Sequence, residues 1–110
     1  MTDISRRSAL AGLASAPLAL GLATQARAAT HAVAIRGFAF IPDTLSVAAG
    51  DTVVFTNEDG APHTATARDG SFDTGRLGRG ESGEITVGSA GTFDYVCAFH
   101  SNMTGTITAA

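Results

Sequence analysis

The feature that most limits the fold of this chain is a succession of short β-branched and aromatic runs after residue 29. Each run ends at Gly, Pro, Asp or Asn, and no helical period appears between them. The segment 52–56 (Thr-Val-Val-Phe-Thr) is the most strand-like of these runs. Seven or so strands at this spacing predict an antiparallel sandwich or barrel. We therefore expect one all-β domain of about seven to eight strands.

The alternation within the runs also predicts where individual strands and loops lie. We expect strands at 63–67, 84–87, 92–97 and 104–108, in addition to those that precede residue 57, and a loop at 75–80. Side chains two residues apart on a strand point to the same face. Phe93, Tyr95 and Cys97 should therefore share one face, with Cys97 at the end of its strand.

The first 28 residues are predicted to be a signal peptide rather than part of the domain. The pair Arg6-Arg7 precedes an apolar run rich in Ala, Leu and Gly, and Ala26-Arg27-Ala28 has the small-x-small form of a cleavage site. The apolar run is short and contains Pro17, which argues against a membrane span. We expect cleavage after Ala28, export to the bacterial periplasm, and a mature domain of residues 29–110.

The export route is less sharply indicated than export itself. Two adjacent arginines are typical of the twin-arginine signal. Ala9 stands where that signal usually carries phenylalanine. Both the twin-arginine and the general secretory route therefore stay open.

The charge of the mature domain excludes one large class of partners. The whole chain has a net charge of −3, and removal of the signal leaves four arginines against nine carboxylates and no lysine. Nucleic-acid binding depends on neutralising phosphates with cations, so this composition argues against it. The acidic surface fits a soluble monomer that meets a neutral or basic partner.

Cys97 is the only cysteine, so no disulfide can form within the chain. In an oxidising compartment such a thiol is stable when it is buried, paired between chains or bound to metal. Cys97, His100 and Met103 follow one another at intervals of three residues in what we predict to be a single loop, and His63 lies earlier in the chain. Two imidazoles and one thiolate with a weak thioether are the ligands of blue-copper electron-transfer sites. Zinc could use the first three of these groups, but structural zinc prefers cysteine-rich tetrahedra.

The sequence resembles the cupredoxins, and most closely the amicyanins. The likeness lies in four stretches and covers nearly all of residues 31–109: Phe40-Ile-Pro42, Leu45-Ser-Val-Ala-Ala-Gly-Asp-Thr-Val53, Asn57-Glu-Asp-Gly-Ala-Pro-His-Thr64 and Gly91-Thr-Phe-Asp-Tyr-Val-Cys97. The two-residue gap between His100 and Met103 matches the short amicyanin loop. The resemblance implies a Greek-key β-sandwich with one mononuclear type 1 copper near one end.

Three positions depart from the amicyanin pattern. The ligand stretch lacks the family's prolines, Val96 replaces a histidine before the cysteine, and Thr64 replaces a common asparagine after the first histidine. These departures leave the copper ligands intact and bear on the hydrogen bonds around them and on the redox partner. We therefore do not expect methylamine dehydrogenase to be the electron donor of this chain.

We expect a periplasmic electron carrier that is not an enzyme. His63, Cys97 and His100 would bind copper in the plane and Met103 axially, and His100 beside Phe99 would form the electron exit through a small apolar patch. The expected partners are redox proteins such as a c-type cytochrome or a periplasmic dehydrogenase. The alternative is a copper-binding protein for delivery or resistance, which would favour exposed and exchangeable ligands.

Cleavage after Ala28 would also create a second candidate metal site. The new terminus Ala29-Thr-His31 offers an amine, two amides and an imidazole, which can bind Cu(II) or Ni(II) in a square plane. The alternative is that His31 only begins the first strand.

Overall fold

The computed structural model describes residues 28–110, in which the chain forms eight strands and no helix. The strands are β1 Thr30–Ile35, β2 Phe40–Ile41, β3 Thr44–Val47, β4 Thr52–Asn57, β5 Thr66–Ala67, β6 Ser82–Thr86, β7 Gly91–Cys97 and β8 His100–Ala109. The predicted all-β domain of seven to eight strands is thereby confirmed. Within 28–110 no helix offers the length and apolarity that crossing a bilayer requires. Apart from Ala28, the predicted signal peptide lies outside the described residues.

The eight strands form two four-stranded sheets, in the orders β2-β1-β4-β6 and β3-β8-β7-β5. The prediction of an antiparallel sandwich holds for most neighbours, but β1 pairs with β4 and β3 pairs with β8 in parallel. Parallel neighbours need a long crossover connection. The chain supplies one by passing through β3, in the opposite sheet, between β1 and β4.

The core lies between the two sheets and follows the period of two. Val53, Phe55 and Asn57 are the buried residues of β4, and Tyr95 and Cys97 are those of β7. The ring centroids of Phe55 and Tyr95, on opposite sheets, are 5.4 Å apart at an interplanar angle of 72°, an edge-to-face contact. Phe93 is partly buried and packs against the same core, so the predicted common face of the β7 residues is confirmed.

The predicted strand at 63–67 is mostly wrong, since only Thr66–Ala67 forms β5. His63 instead exchanges two backbone hydrogen bonds with Leu77, in the segment predicted as a loop. The amide of Ala65 donates to the side-chain oxygen of Thr74 at 3.0 Å rather than to a neighbouring strand. Side-chain acceptors therefore replace part of the sheet ladder here, which period-two alternation alone does not reveal.

Candidate metal centre

Three of the four predicted ligand residues meet at one end of the sandwich. The ligand atoms of His63, Cys97 and His100 all lie within 4.8 Å of one another. Cys97 Sγ is 3.7 Å from His63 Nδ1 and 3.4 Å from His100 Nδ1. Each imidazole therefore faces the same sulfur with the same ring nitrogen.

The stretch that carries Cys97, His100 and Met103 is not the single loop that the sequence predicted. Only Ala98 and Phe99 form the turn, and His100 begins β8. Val96 pairs with Thr104 and Cys97 pairs with His100, so one step along β7 is matched by four along β8. Residues 101–103 form the resulting bulge, and the Met103 side chain is buried. Bulges redirect side chains next to functional sites, and this one lets a strand begin with His100 and still place Met103 in the interior.

His63 is completely buried, and its outer ring nitrogen contacts a carboxylate. Nε2 lies 2.9 Å from Asp59 Oδ2. An ionised carboxylate can only accept, so Nε2–H donates, and in the neutral ring it is then Nδ1 that carries the lone pair facing Cys97. Such carboxylate–histidine pairs fix the tautomer and the orientation of metal-binding imidazoles.

The same carboxylate of Asp59 also holds the hairpin between β1 and β2. Oδ1 accepts from the amide of Gly37 and Oδ2 from the amide of Phe38, both at 2.9 Å. Burial alone would raise the pKa of Asp59, but these two hydrogen bonds and the one from His63 together lower it. Asp59 is therefore an ionised link between a predicted ligand and the hairpin.

Phe38 covers the two histidine rings from this hairpin. Gly37 and Phe38 have φ values of 64° and 58°, and such a pair of left-handed residues is what two-residue hairpin turns of type I′ require. The Phe38 ring makes edge-to-face contacts with His63 at 5.0 Å and with His100 at 4.9 Å between centroids. A phenylalanine with positive φ is uncommon and strained, and the hydrogen bonds from Gly37 and Phe38 to Asp59 maintain this conformation.

Two further side chains position the segment that carries His63. Asn57, fully buried at the end of β4, donates to the carbonyls of Ala61 and Leu77 and accepts from the amide of Asp59. Thr64 Oγ1 accepts from the amide of Ala98 at 2.8 Å. The threonine at this departure from the amicyanin pattern thus links the residue after His63 directly to the residue after Cys97.

Sequence reasoning missed Asp59, Phe38 and Asn57 as residues of the site. A carboxylate four residues before a candidate ligand histidine was a usable signal for Asp59. The sequence carried no such signal for Phe38, because no local preference places a phenylalanine in the left-handed region.

The donor set fits copper. A buried thiol sulfur with two imidazole nitrogens is a soft set of low symmetry, and a buried methionine follows in the adjacent bulge. The deep burial of Cys97 also answers why a lone thiol persists in this chain, since it is shielded as well as placed for metal. The arrangement suits one type 1 copper per chain.

Comparison with known proteins agrees with this description. The family model described as "Cupredoxin-like domain" matches residues 9–109. Chloroplastic plastocyanin of Chlamydomonas reinhardtii is 32% identical, over 93% of this chain and 80% of its own length. Plastocyanin of Capsella bursa-pastoris is 33% identical, over 64% of this chain and 86% of its own length.

Solved structures show the same fold. The Cu(I) form of an amicyanin variant superimposes with a TM-score of 0.70 at 25% identity, covering 79% of this chain and 88% of the variant. A purple cupredoxin from Nitrosopumilus maritimus has a TM-score of 0.66 at 24% identity, covering 73% of this chain and 99% of its own, and supports the fold alone. A two-sheet fold, a His–Cys–His cluster at one end and a family match over nearly the whole sequence lead to one conclusion: the chain is a cupredoxin, with an amicyanin-like fold.

Proposed function

We propose that this protein is a periplasmic electron carrier in which His63 Nδ1, Cys97 Sγ and His100 Nδ1 would hold one copper ion and Met103 would supply a fourth, weaker sulfur ligand. The observation that carries the proposal is the convergence of two imidazole nitrogens on one buried sulfur. Bound copper would supply a one-electron couple. Because the chain itself supplies every ligand, no position is left for a substrate, and we propose a carrier rather than an enzyme.

The protein's part in electron transfer is to hold the ligands still. His63 is fixed through Asp59, and the segments after His63 and Cys97 are tied to each other by Thr64. A site that does not rearrange between oxidation states transfers electrons without the delay of reorganising its ligands. The buried thiol and the fully buried His63 also disfavour ready exchange of the metal, which argues for a carrier over a delivery protein.

The electron would enter and leave through His100. This residue is half-buried, whereas His63 is not accessible, and Phe38 and Phe99 beside it are each 51% exposed. Electron-transfer encounters use small contact areas, which the exposed rings of Phe38 and Phe99 can provide. The acidic mature domain favours a partner with basic groups around its redox centre, such as a c-type cytochrome or a periplasmic dehydrogenase.

Copper loading of single variants tests the assignment. We expect the copper-loaded protein to be intensely coloured, Cys97→Ser to abolish the colour, and Met103→Leu to retain it with a shifted reduction potential, since the axial ligand tunes the metal more than it holds it. His31→Gln is the matched control, because this histidine lies at the opposite end of β1 and should leave colour and potential unchanged. Colourless copper that a chelator removes at once would support copper delivery instead, and equal copper loss from Met103→Leu and Cys97→Ser would contradict the axial role.

A further inference from the structure

A buried carboxylate lies far from the metal centre. Asp51 is in the turn before β4, and the residue is only 5% exposed. The other end of β4 is Asn57, whose side chain holds the segment that leads to His63. Six residues of strand separate the two ends by roughly 20 Å. What Asp51 does is therefore independent of metal binding.

The contacts of Asp51 gather the beginning of the described chain. Oδ1 accepts from the backbone nitrogen of Ala29 at 2.9 Å, and Oδ2 contacts the amide of Ala48 and Nε2 of His31, each at 2.9 Å. The carbonyl of Ala29 in turn accepts from the amide of Thr52 at 2.9 Å. Ala29 is thus held on both sides before β1 begins.

These contacts keep Asp51 charged. The hydrogen bond from His31, followed by those from the amides of Ala48 and Ala29, lowers the pKa of Asp51 to about 2. His31, on β1, is the titratable group that faces the carboxylate, and its other partners are backbone groups of the 48–51 turn and of Ala29. A buried carboxylate that stays ionised is stabilised by a positive charge beside it.

The sequence predicts cleavage at the peptide bond whose nitrogen lies on this carboxylate. A signal peptidase would add water across the bond between Ala28 and Ala29, leaving a carboxylate on Ala28 and an amine on Ala29 that takes up a proton. We propose that Asp51 is the binding site for the α-ammonium group of the processed protein, so that cleavage after Ala28 turns an amide–carboxylate hydrogen bond into a partly buried ion pair. Charge-assisted hydrogen bonds of this kind are roughly twice as strong as neutral ones.

This ion pair competes with the second metal site that the sequence suggested. A square-planar site at Ala29-Thr-His31 needs the free amine, the His31 imidazole and two deprotonated amides. In the folded protein the backbone nitrogen of Ala29, which cleavage would turn into that amine, and the His31 ring both contact Asp51, and Thr30 and His31 are paired with β4. The folded processed protein should therefore bind a single copper ion.

The test compares two forms of residues 29–110, a segment that contains all eight strands. One form begins with a free Ala29 amine, and the other is acetylated there, which keeps the N–H donor and removes the charge. We expect the free form to melt higher by about 5 °C near neutral pH, with or without copper. In an Asp51→Asn background the difference between the two forms should disappear.

The pH dependence gives a second readout that does not require the variant to fold. Pairing with Asp51 raises the pKa of the amine in the folded state above its ordinary value of about 8. The advantage of the free form is then complete below that value and is lost as the pH rises through the folded-state pKa. Equal melting of the two forms at neutral pH, a difference that survives Asp51→Asn, or a natural N-terminus other than Ala29 by mass spectrometry would each overturn the proposal. None of these outcomes bears on electron transfer or on copper binding by His63, Cys97 and His100.

Discussion

At the scale of single residues, the Asp59 carboxylate accepts three hydrogen bonds in the site that no sequence motif predicted. Its carboxylate joins the His63 imidazole to the hairpin that carries Phe38. We expect Asp59→Asn, which keeps the size of the side chain and removes its charge, to weaken copper binding about 10- to 100-fold, because partners of this kind orient the ligand imidazole. Competition with a chelator measures the change.

The neighbouring Glu58 provides the control for Asp59. Glu58 is paired with Arg36 on the surface, and within residues 28–110 its side chain has no hydrogen bond to His63, Cys97 or His100. Glu58→Gln should leave copper affinity unchanged. If both variants lost affinity equally, the effect of Asp59→Asn would reflect net charge rather than positioning of His63.

Phe38 combines a strained backbone with shielding of the site, and two measurements on one variant distinguish these effects. Asparagine adopts the left-handed region more readily than phenylalanine, so Phe38→Asn relieves strain while it removes two ring contacts with the histidines. These contributions oppose each other, and we expect the free energy of unfolding of the copper-free protein to change by less than about 1 kcal/mol.

The same variant should expose the histidines to solvent. We expect a chelator to remove copper faster from Phe38→Asn than from the parent protein, in a stopped-flow measurement of colour loss. Phe99→Asn is the matched control, because Phe99 is equally exposed but is not in ring contact with either histidine among the described residues. Similar copper loss from both variants would contradict a shielding role for Phe38.

At the scale of strands, the β7–β8 pair depends on one glycine. Gly105 lies directly opposite Tyr95, and a methyl group at this position would overlap the Tyr95 ring. We expect Gly105→Ala to lower the free energy of unfolding by roughly 1–3 kcal/mol, the range for overpacked cores. Chemical denaturation measures it.

Gly88 supplies the comparison for Gly105. A methyl group on Gly88 meets no atom within 4 Å, so Gly88→Ala should leave stability nearly unchanged. Equal effects of the two substitutions would mean that loss of glycine flexibility, and not contact with Tyr95, determines the result.

The strands show what local sequence can and cannot specify. The alternation in β4 and β7 was readable because one face of each strand is buried and the other is not. The parallel pairs β1–β4 and β3–β8 were not readable, because the period of two is the same in parallel and antiparallel neighbours. The prediction of a strand from His63 to Ala67 was wrong because the alternation does not show that its hydrogen bonds go partly to the Thr74 side chain.

The metal centre likewise contains features that the sequence predicted and features that it could not. The spacing of Cys97, His100 and Met103 pointed to metal binding because, with His63, they supply the two imidazoles, thiolate and thioether of a blue-copper site. The bulge at 101–103 could not be predicted, since it depends on how β8 pairs with β7 and not on the residues of the bulge alone. Phe38 was missed because its conformation is maintained by Asp59, which lies 21 residues away in the chain.

At the scale of the whole molecule, the excess of carboxylates governs how partners approach. With four arginines against nine carboxylates in residues 29–110, association with a basic redox partner should slow as salt screens the attraction. We expect the second-order rate of electron transfer to a basic c-type cytochrome to fall with ionic strength, as measured by stopped flow. The rate with a small uncharged reductant should not change. A salt-independent rate with the cytochrome would leave the apolar patch as the only source of association.

The parallel pairing of β3 with β8 also has a consequence for how the chain folds. It places Thr44 beside Thr106, 62 residues further on, so one sheet closes only when nearly the whole domain is present. Sandwiches with such distant pairings fold in milliseconds to seconds, which leaves a newly synthesised chain open for that interval. During it the thiol of Cys97 is accessible, and because the chain has no second cysteine, a disulfide between protein chains requires the thiol of a second copy and an oxidant that takes up two electrons. Closure of the sheet is a first-order process and such oxidation is second-order, so dilution of the unfolded chain favours the intact thiol.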